Sequence, residues 1–218
     1  MPRIIDILLS LLALLVLLPV FIPIVLILLL TGEHKVFYLQ TRVGYKNKNF
    51  KIIKFATMLS NSANMGSGSL TLKNDPRVLP FGTFLRKTKI NELPQILNII
   101  IGDLSIVGPR PQMQVDFEKY SNDVQKKIYN VRPGLTGIGS IIFRDEESLI
   151  SLAAENENPH DFYKRVIAPY KGELEIWYQQ HNSFFLDLQL IFITAWVILV
   201  PTSKLYEKWF KDLPKRSF

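Results

Sequence analysis

From Ile7 to Leu30 the chain reads ILLSLLALLVLLPVFIPIVLILLL, a run without a charged side chain and with one hydroxyl, Ser10. About 20 such residues cover the hydrocarbon core of a bilayer. In lipid every backbone amide must find its partner within the segment, so the run is expected to be helical and membrane-embedded. It is longer than the apolar part of a signal peptide and is followed by TGEHKVF with no small-x-small site, so it is expected to stay in the protein.

Two prolines interrupt this run. Pro19 removes the N–H that would bond the Leu15 carbonyl, and Pro23 does the same to the carbonyl of Pro19, so a break or bend is expected there. Each half is then about 12 residues, roughly 18 Å long, against a hydrocarbon core of ~30 Å. A hairpin that enters and leaves by one face fits those halves. A kinked spanning helix whose neighbours satisfy the freed carbonyls fits the same residues, and physics alone tips slightly toward it. Arg3 precedes the run, and Lys35, Arg42, Lys46, Lys48, Lys51 and Lys54 follow it. Positive charge is retained on the cytoplasmic side, which puts the downstream domain there and adds a little weight to the hairpin.

With 218 residues the chain holds one globular domain plus extra segments. The net charge of +7, from 26 Lys and Arg against 19 acids, suits anionic partners. Nucleic acid is not the expected one, because acids are interspersed throughout, no nucleic-acid-binding motif occurs, and a lipid-embedded segment is foreign to such modules. The absence of cysteine excludes disulfides, thiolate chemistry and cysteine zinc sites. His34, His160 and His181 lack ligand spacing, so no histidine metal site is expected.

After the apolar run, KVFYLQTRVGYKNKNFKIIKFATM alternates apolar and polar residues around a turn from Gly44 to Asn49, which predicts two short strands or a hairpin. SNSANMGSGSLTLKNDPR is a loop by every local signal, either a lid over a site or a variable surface loop. Leu93, Ile96, Leu97, Ile99 and Ile100 form a helical face with Pro94 in the first turn, Asn91 as N-cap and Gly102 as terminator. GPRP is a stiff turn that projects Arg110, and VRPGLTGIGS is a turn cluster that holds Arg132. Residues from Gln114 to Tyr129 are expected to be helical. Phe184 to Val200 is apolar but carries Asp187, Gln189 and Thr194, while Lys204 to Arg216 mixes cations with Leu205, Trp209 and Phe210. The second of these is expected to lie in the headgroup zone or to pack on the domain. The expected organisation is a membrane segment (1–31), a domain of short helices and strands (32–183) and C-terminal apolar and amphipathic helices (184–218).

Chemistry centres on RKTKINELPQ, where Arg86, Lys87 and Lys89 crowd one carboxylate, Glu92. Arg110, Arg132 and Lys54 also sit at turns or element ends, where side chains can converge on a ligand. Arginines on stiff turns suit phosphate oxygens, because the planar fork makes two bonds at once. Such a cluster fits a diphosphate ligand, and charge alone also fits a basic surface facing anionic lipid.

Six motifs occur in order from about Ile4 to Gly137: VFYLQTRVG, FKIIKFATM, NDPRV, FLRKTKINELPQ, GDLSIVGPRP and VRPGLTG. Together they resemble the small monotopic phosphoglycosyltransferases, the bacterial sugar transferase family that begins surface glycan assembly. The resemblance implies an α+β, membrane-associated monotopic fold with a re-entrant N-terminal helix, a small cytosol-facing catalytic domain and C-terminal interfacial helices. It also implies a location at the bacterial inner membrane. In such a family an Asp of an Asp-Glu dyad attacks the β-phosphate of a UDP-sugar and releases UMP, and polyprenol phosphate then takes the phosphosugar, with Mg2+ neutralising the diphosphate. Membrane lipid surrounds the reaction.

Carried onto this sequence, the resemblance makes Arg86, Arg110, Lys54 and Arg132 substrate-binding residues, Glu92 the dyad glutamate, and Asn91 and Glu92 the metal ligands. Three departures stand out. Leu18-Pro19 replaces the family's Ser-Pro helix break, Ala56 replaces an arginine, and Asn91 replaces the nucleophilic aspartate. Glu92 as nucleophile, Glu92 as base for direct attack with Asn91 orienting substrate, and a catalytically silent binding protein are the three accounts these departures leave.

Overall fold

The computed structural model describes residues 1–66, 68–216 and 218. The apolar run forms α1 (Arg3–Leu30), 28 residues long, and helical backbone continues through Pro19 and Pro23 rather than breaking there. Each proline deletes one ladder hydrogen bond, yet its fixed φ is compatible with a helix. Both ends of α1 sit on the same domain. Near its start, Asp6 is buried and accepts from the Ser105 hydroxyl (2.8 Å) and the Ile106 N–H (3.0 Å). Arg3 donates to the Ile100 carbonyl at 2.9 Å. Near its end, Ile24 and Leu28 are buried with Phe55 and Leu85, and Phe21 meets Phe55 edge to face at 5.4 Å. No residue from 11 to 23 is buried.

A hairpin follows, as the alternation predicts. β1 (Phe37–Val43) and β2 (Asn49–Phe55) pair antiparallel from Phe37 opposite Phe55 to Val43 opposite Asn49. Between them Lys46 and Asn47 take left-handed backbone to close the turn. The far edge of β2 would expose unpaired backbone groups. Asn98 covers it, accepting from the Ile53 N–H (2.9 Å) and donating to the Lys51 carbonyl (2.8 Å).

Asn98 belongs to α3 (Gln95–Ile101), which follows α2 (Pro80–Lys87) and a 3-10 turn at Ile90–Glu92. Gly82 of α2 lies against the Thr57 carbonyl so closely that any Cβ would fall 2.2 Å from its oxygen. Gly102 ends α3 in left-handed conformation, as expected, but Asn91 is not the cap: Pro94 holds that position without a side-chain hydrogen bond. The 3-10 turn separates Asn91 from α3, so its amide never reaches the helix's free N–H groups.

The polar loop is tied down from within. Arg77 is buried against Asp75 (2.6 Å) and donates to the carbonyls of Ser62, Met65, Gly68 and Leu70. Ser67 of this loop lies outside the described residues.

A second, two-stranded sheet pairs β3 (Ser105–Val107) in parallel with β4 (Gly134–Thr136). The crossover holds α4 (Gln114–Phe117) and α5 (Asn122–Lys127), two short helices where sequence predicts one continuous segment. Ser121 caps α5 by accepting from the Val124 N–H, and the chain bends where that cap starts a new helix. The remainder is helical: α6 (Ile138–Ile142), α7 (Glu146–Ala153), α8 (Pro159–Phe162), a π-helical turn (Tyr163–Ile167) and α9 (Ala168–His181). α10 (Phe184–Leu199) and α11 (Leu205–Trp209) complete it.

Leu174 and Tyr178 of α9 pack with Ile128, Ile138, Ile167, Leu190 and Ile193 in the main core. α10 is two-faced. Leu186, Leu190, Ile193 and Val197 are buried, whereas Phe185, Phe192, Ile198 and Leu199 remain exposed apolar surface. The expected amphipathic helix from Lys204 to Arg216 shrinks to α11, because Phe210 and Leu213 turn inward onto the core near Trp177.

Candidate active site

Glu92 sits at the end of the 3-10 turn between α2 and α3, and Lys89 sets its direction. Lys89 has φ 61°, a left-handed conformation that reverses the chain after α2 and costs a non-glycine residue about 1–2 kcal/mol. Strain of this kind collects at functional sites. Lys54 arrives from the end of β2, and its Nζ donates to Glu92 Oε1 at 3.1 Å. Arg110 arrives from the GPRP turn after β3. Its Nη2 donates to the same Oε1 at 2.7 Å, and its Nη1 reaches Oε2 at 3.4 Å. Three separate elements thus converge on one carboxylate that is 16% exposed.

Electrostatics follow from that geometry. Burial pushes the Glu92 carboxyl up, but Arg110, Lys54 and Lys89 outweigh it and hold the group well below the usual carboxylate range. Burial pushes the Lys54 ammonium down to about 8, with Glu92 opposing and Arg110 and Arg42 assisting. Arg110 is raised, chiefly by Glu92. The cluster therefore carries one firmly ionised carboxylate and an excess of positive charge, an arrangement suited to a polyanionic ligand.

Asn91, beside it, is buried, and its Oδ1 has no hydrogen-bond partner. A buried oxygen without a partner is costly unless something else binds it. Mg2+ favours one or two protein oxygens completed by substrate phosphates and water. The Asn91 Oδ1 and the Glu92 carboxylate fit that donor set. Among the described residues no group of three or more His, Cys, Asp or Glu forms an all-protein metal cage.

Arg86 lies on the same side, at the end of α2, with its Nη1 3.6 Å from the Met58 sulfur. Arg132 lies elsewhere: its Nε donates to the Gly102 carbonyl at 3.0 Å and its guanidinium stacks on Tyr45 at 5.3 Å. Those contacts secure the end of α3 and do not bring Arg132 to Glu92.

Two neighbours escape sequence reasoning. Arg42 bonds the Gln40 side chain and the Pro111 carbonyl, beside Arg110. Its signal was its place in VFYLQTRVG. Glu175 of α9 is buried near Arg110, and burial pushes its carboxyl up to about 8. It lies beyond the motifs, and no local pattern marks it.

Over residues 1–201 the chain matches the family described as bacterial sugar transferase. It belongs to that family. The exopolysaccharide production protein ExoY of Sinorhizobium fredii is 36% identical over 163 residues, covering 68% of this chain and 72% of that protein. An undecaprenyl-phosphate galactose phosphotransferase of Salmonella typhimurium is 32% identical over 176 residues, covering 74% of this chain and 33% of its own length. The UDP-N-acetylgalactosamine-undecaprenyl-phosphate N-acetylgalactosaminephosphotransferase of Aeromonas hydrophila is 31% identical over 196 residues, covering 87% of this chain and 42% of its own. As a sugar transferase, the chain carries FKIIKFATM, FLRKTKINELPQ and GDLSIVGPRP on the elements that meet at Glu92.

Proposed function

We propose that this sugar transferase moves a sugar 1-phosphate from a UDP-sugar to polyprenol phosphate, giving polyprenyl-diphosphate-sugar and UMP, at the start of surface glycan assembly. The observation that carries this reading is the Glu92 carboxylate held between Lys54 and Arg110 where the family motifs converge. The names of the Salmonella and Aeromonas relatives, both transferring sugar phosphate to undecaprenyl phosphate, support the same acceptor class.

In this reading Arg110 and Lys54 turn from Glu92 to the donor diphosphate, with Arg86 on the acceptor side. A carboxylate held this far below its usual pKa is a weak base. An acceptor phosphate is already ionised and needs no base in order to attack. Glu92 therefore fits the nucleophile better than the general base. Its Oε2, whose hydrogen bond among the described residues is the 3.4 Å one from Arg110, is the freer oxygen. Oε2 attacks the β-phosphorus, the bond from that phosphorus to the bridging oxygen breaks, and UMP leaves with the electron pair. A phosphate oxygen of the acceptor then attacks the same phosphorus and frees the Glu92 carboxylate. Mg2+, held by Asn91 and Glu92, would neutralise diphosphate charge.

The membrane reading is a re-entrant α1 in the bacterial inner membrane, with the domain facing the cytosol. Its support is that both ends of α1 dock on one domain, while none of residues 11–23, which include both prolines, is buried. The chain has no cysteine, so Ile4→Cys and Lys35→Cys report topology without background. Both are expected to react with an impermeant thiol reagent only after the membrane is opened. Labelling of Ile4→Cys in intact cells would require a spanning helix instead.

The activity is tested by incubating the purified protein with labelled UDP-sugars, with and without polyprenol phosphate. UMP release without acceptor and a phosphosugar adduct on Glu92 by intact and peptide mass are expected. Release only with acceptor would replace the covalent route by direct transfer. No turnover of any UDP-sugar, with activity appearing in Asn91→Asp, would make the protein a substrate-binding partner.

A further inference from the structure

Arg132 stands apart from Glu92, and its surroundings show what it can bind instead. Its Nε donates to the Gly102 carbonyl at 3.0 Å, and its guanidinium lies over the Tyr45 ring at 5.3 Å. Those two contacts hold the guanidinium plane and leave Nη1 and Nη2 without a hydrogen-bond partner among the described residues. A held guanidinium with a free edge matches two oxygens of a phosphate. The cationic surface continues from Tyr45. The Lys46 Nζ lies 5.4 Å from the same ring, and Asn47 donates to the Gln125 carbonyl at 3.1 Å. That contact sets the turn from Lys46 to Lys48 against α5, whose last turn carries Lys126 and Lys127. All five cations are exposed, and none forms an ion pair among the described residues. Asp103 and Asp123 are the acids near them in sequence; Asp103 faces the Asn98 amide at 3.4 Å, and Asp123 sits in the first turn of α5.

Position narrows the ligand. The end of α3 that holds Arg132 also receives the start of α1, where Arg3 donates to the Ile100 carbonyl at 2.9 Å. Just beyond Arg3 the chain enters the apolar run, and Leu8, Leu11, Leu12 and Leu15 are exposed. With that run in lipid, a cation at its edge lies at the depth of the headgroups. Arg132 shares that edge. Ile101, beside the glycine that both arginines approach, is a 69% exposed apolar side chain. Acidic headgroups attract lysines and arginines clustered next to a membrane segment. A soluble polyanion would use the charge and leave the apolar neighbours without a role.

We propose that Arg132, Lys46, Lys48, Lys126 and Lys127 form a binding surface for acidic phospholipid headgroups beside the start of α1, with the free edge of Arg132 on a lipid phosphate. The ligand is a phospholipid of the surrounding leaflet and takes no part in the transfer reaction. The inference rests on the membrane reading of α1 and is independent of what the site at Glu92 transfers. It gives the arginine of VRPGLTG a task that does not pass through Glu92: it fixes how the domain sits on the bilayer.

The purified full-length protein is placed in nanodiscs of phosphatidylcholine alone or of an equal mixture with phosphatidylglycerol. Its lysines are acetylated with a water-soluble reagent and followed by peptide mass. Acetylation of Lys46, Lys48, Lys126 and Lys127 is expected to slow about fivefold in the mixed discs, and the difference to shrink as salt is raised. Lys126→Glu combined with Lys127→Glu leaves Arg132 on Gly102 and is expected to abolish the difference at Lys46 and Lys48. In a second arm, phospholipid that stays bound through detergent extraction is counted by native mass spectrometry. The wild type is expected to retain phosphatidylglycerol over phosphatidylcholine, and Arg132→Gln to retain about threefold less of it. Equal acetylation rates in the two discs, or equal retention by the wild type and Arg132→Gln, would overturn the proposal. So would inorganic phosphate or an oligonucleotide that slows acetylation in phosphatidylcholine discs as much as phosphatidylglycerol does, because the ligand would then be a soluble anion. Incorporation with equal rates removes this surface alone, whereas a protein that stays out of both discs removes the membrane reading with it.

Discussion

Lys54 and Glu92 lie 38 residues apart in sequence and meet at 3.1 Å, with neither side chain more than 16% exposed. Burial brings the Lys54 ammonium from its ordinary 10.5 to about 8, so its charge is lost within the working range of an enzyme assay. Its binding of diphosphate oxygens requires that charge. UMP release is therefore expected to fall on the alkaline side with a midpoint near pH 8. Lys54→Arg, charged at every assay pH, is expected to remove that limb, and Lys54→Met to lower the rate on the order of 10²-fold. A pH–rate profile decides it, and an alkaline limb that persists near 8 in Lys54→Arg would assign it to another group. The linked effect on stability has the opposite sense. The unfolded lysine binds its proton more tightly than the folded one, so this group makes folding more favourable as pH rises from about 8 toward 10.5.

Glu92→Gln removes the proposed nucleophile and leaves Lys54 and Arg110 without their shared carboxylate. Loss of turnover on the order of 10⁴-fold is expected, as for other catalytic nucleophiles. UDP-sugar binding, measured by calorimetry, is expected to persist or tighten because two cations are released to the diphosphate. Weaker binding in Glu92→Gln would instead make the carboxylate a donor-binding group.

Asn91→Asp adds a charged oxygen at the buried position where the Asn91 Oδ1 now lacks a partner. With Mg2+ present, UMP release is expected to rise about tenfold, because a carboxylate binds the cation and attacks phosphorus better than an amide does. The adduct in that variant is expected to move to residue 91. A rate unchanged across Mg2+ concentrations in both proteins would remove Asn91 from the metal site.

The hairpin, the Gly102 stop and the cationic stretch around Glu92 were legible because each depends on local chemistry: strict alternation, a left-handed terminator and charge spacing. Their place at turns and element ends marked Lys54 and Arg110 as able to converge on a ligand, but their pairing with Glu92 was not legible, since no local signal encodes contacts between β2, α3's approach and the turn after β3. Arg132 marks one limit of local reading, for a turn position does not say which way the side chain goes, and here it serves the Gly102 carbonyl. Asn91 shows another. It has the composition of an N-cap, yet the left-handed Lys89 inserts a 3-10 turn and moves the helix start to Gln95. Glu175 was invisible because its role comes from α9 packing behind Arg110, a contact between distant segments.

Glu175 is a carboxyl pushed up to about 8 by burial, with Lys171 opposing and Arg110 nearby. The folded state holds its proton between pH 4.5 and about 8 while the unfolded chain releases it, so this group makes stability fall as pH rises through that window. Glu175→Gln retains the polarity and the volume and is expected to flatten that part of the stability–pH curve with near-wild-type activity. Glu175→Leu removes the polar carboxyl beside Arg110 and is expected to lower kcat through Arg110. Thermal unfolding at pH 6 and pH 8.5 tests the first point. Equal activity of the two variants would show that Glu175 does not position Arg110.

Arg77 holds the polar loop through a charge that is itself buried, with both it and Asp75 4% exposed. Its fork donates to Asp75 and to the carbonyls of Ser62, Met65, Gly68 and Leu70, tying four points of a turn-rich segment to one side chain. Arg77→Met leaves Asp75 buried without its counter-charge, and breaking such a pair costs about 3–5 kcal/mol. Arg77→Lys is expected to recover little, since one ammonium has three donors and no planar fork to span the carbonyls. Limited proteolysis reads this directly: cleavage between residues 60 and 72 is expected to speed up in both variants before global unfolding begins. If Arg77→Lys resists protease like the wild type, charge on Asp75 alone secures the loop and the carbonyl contacts are incidental.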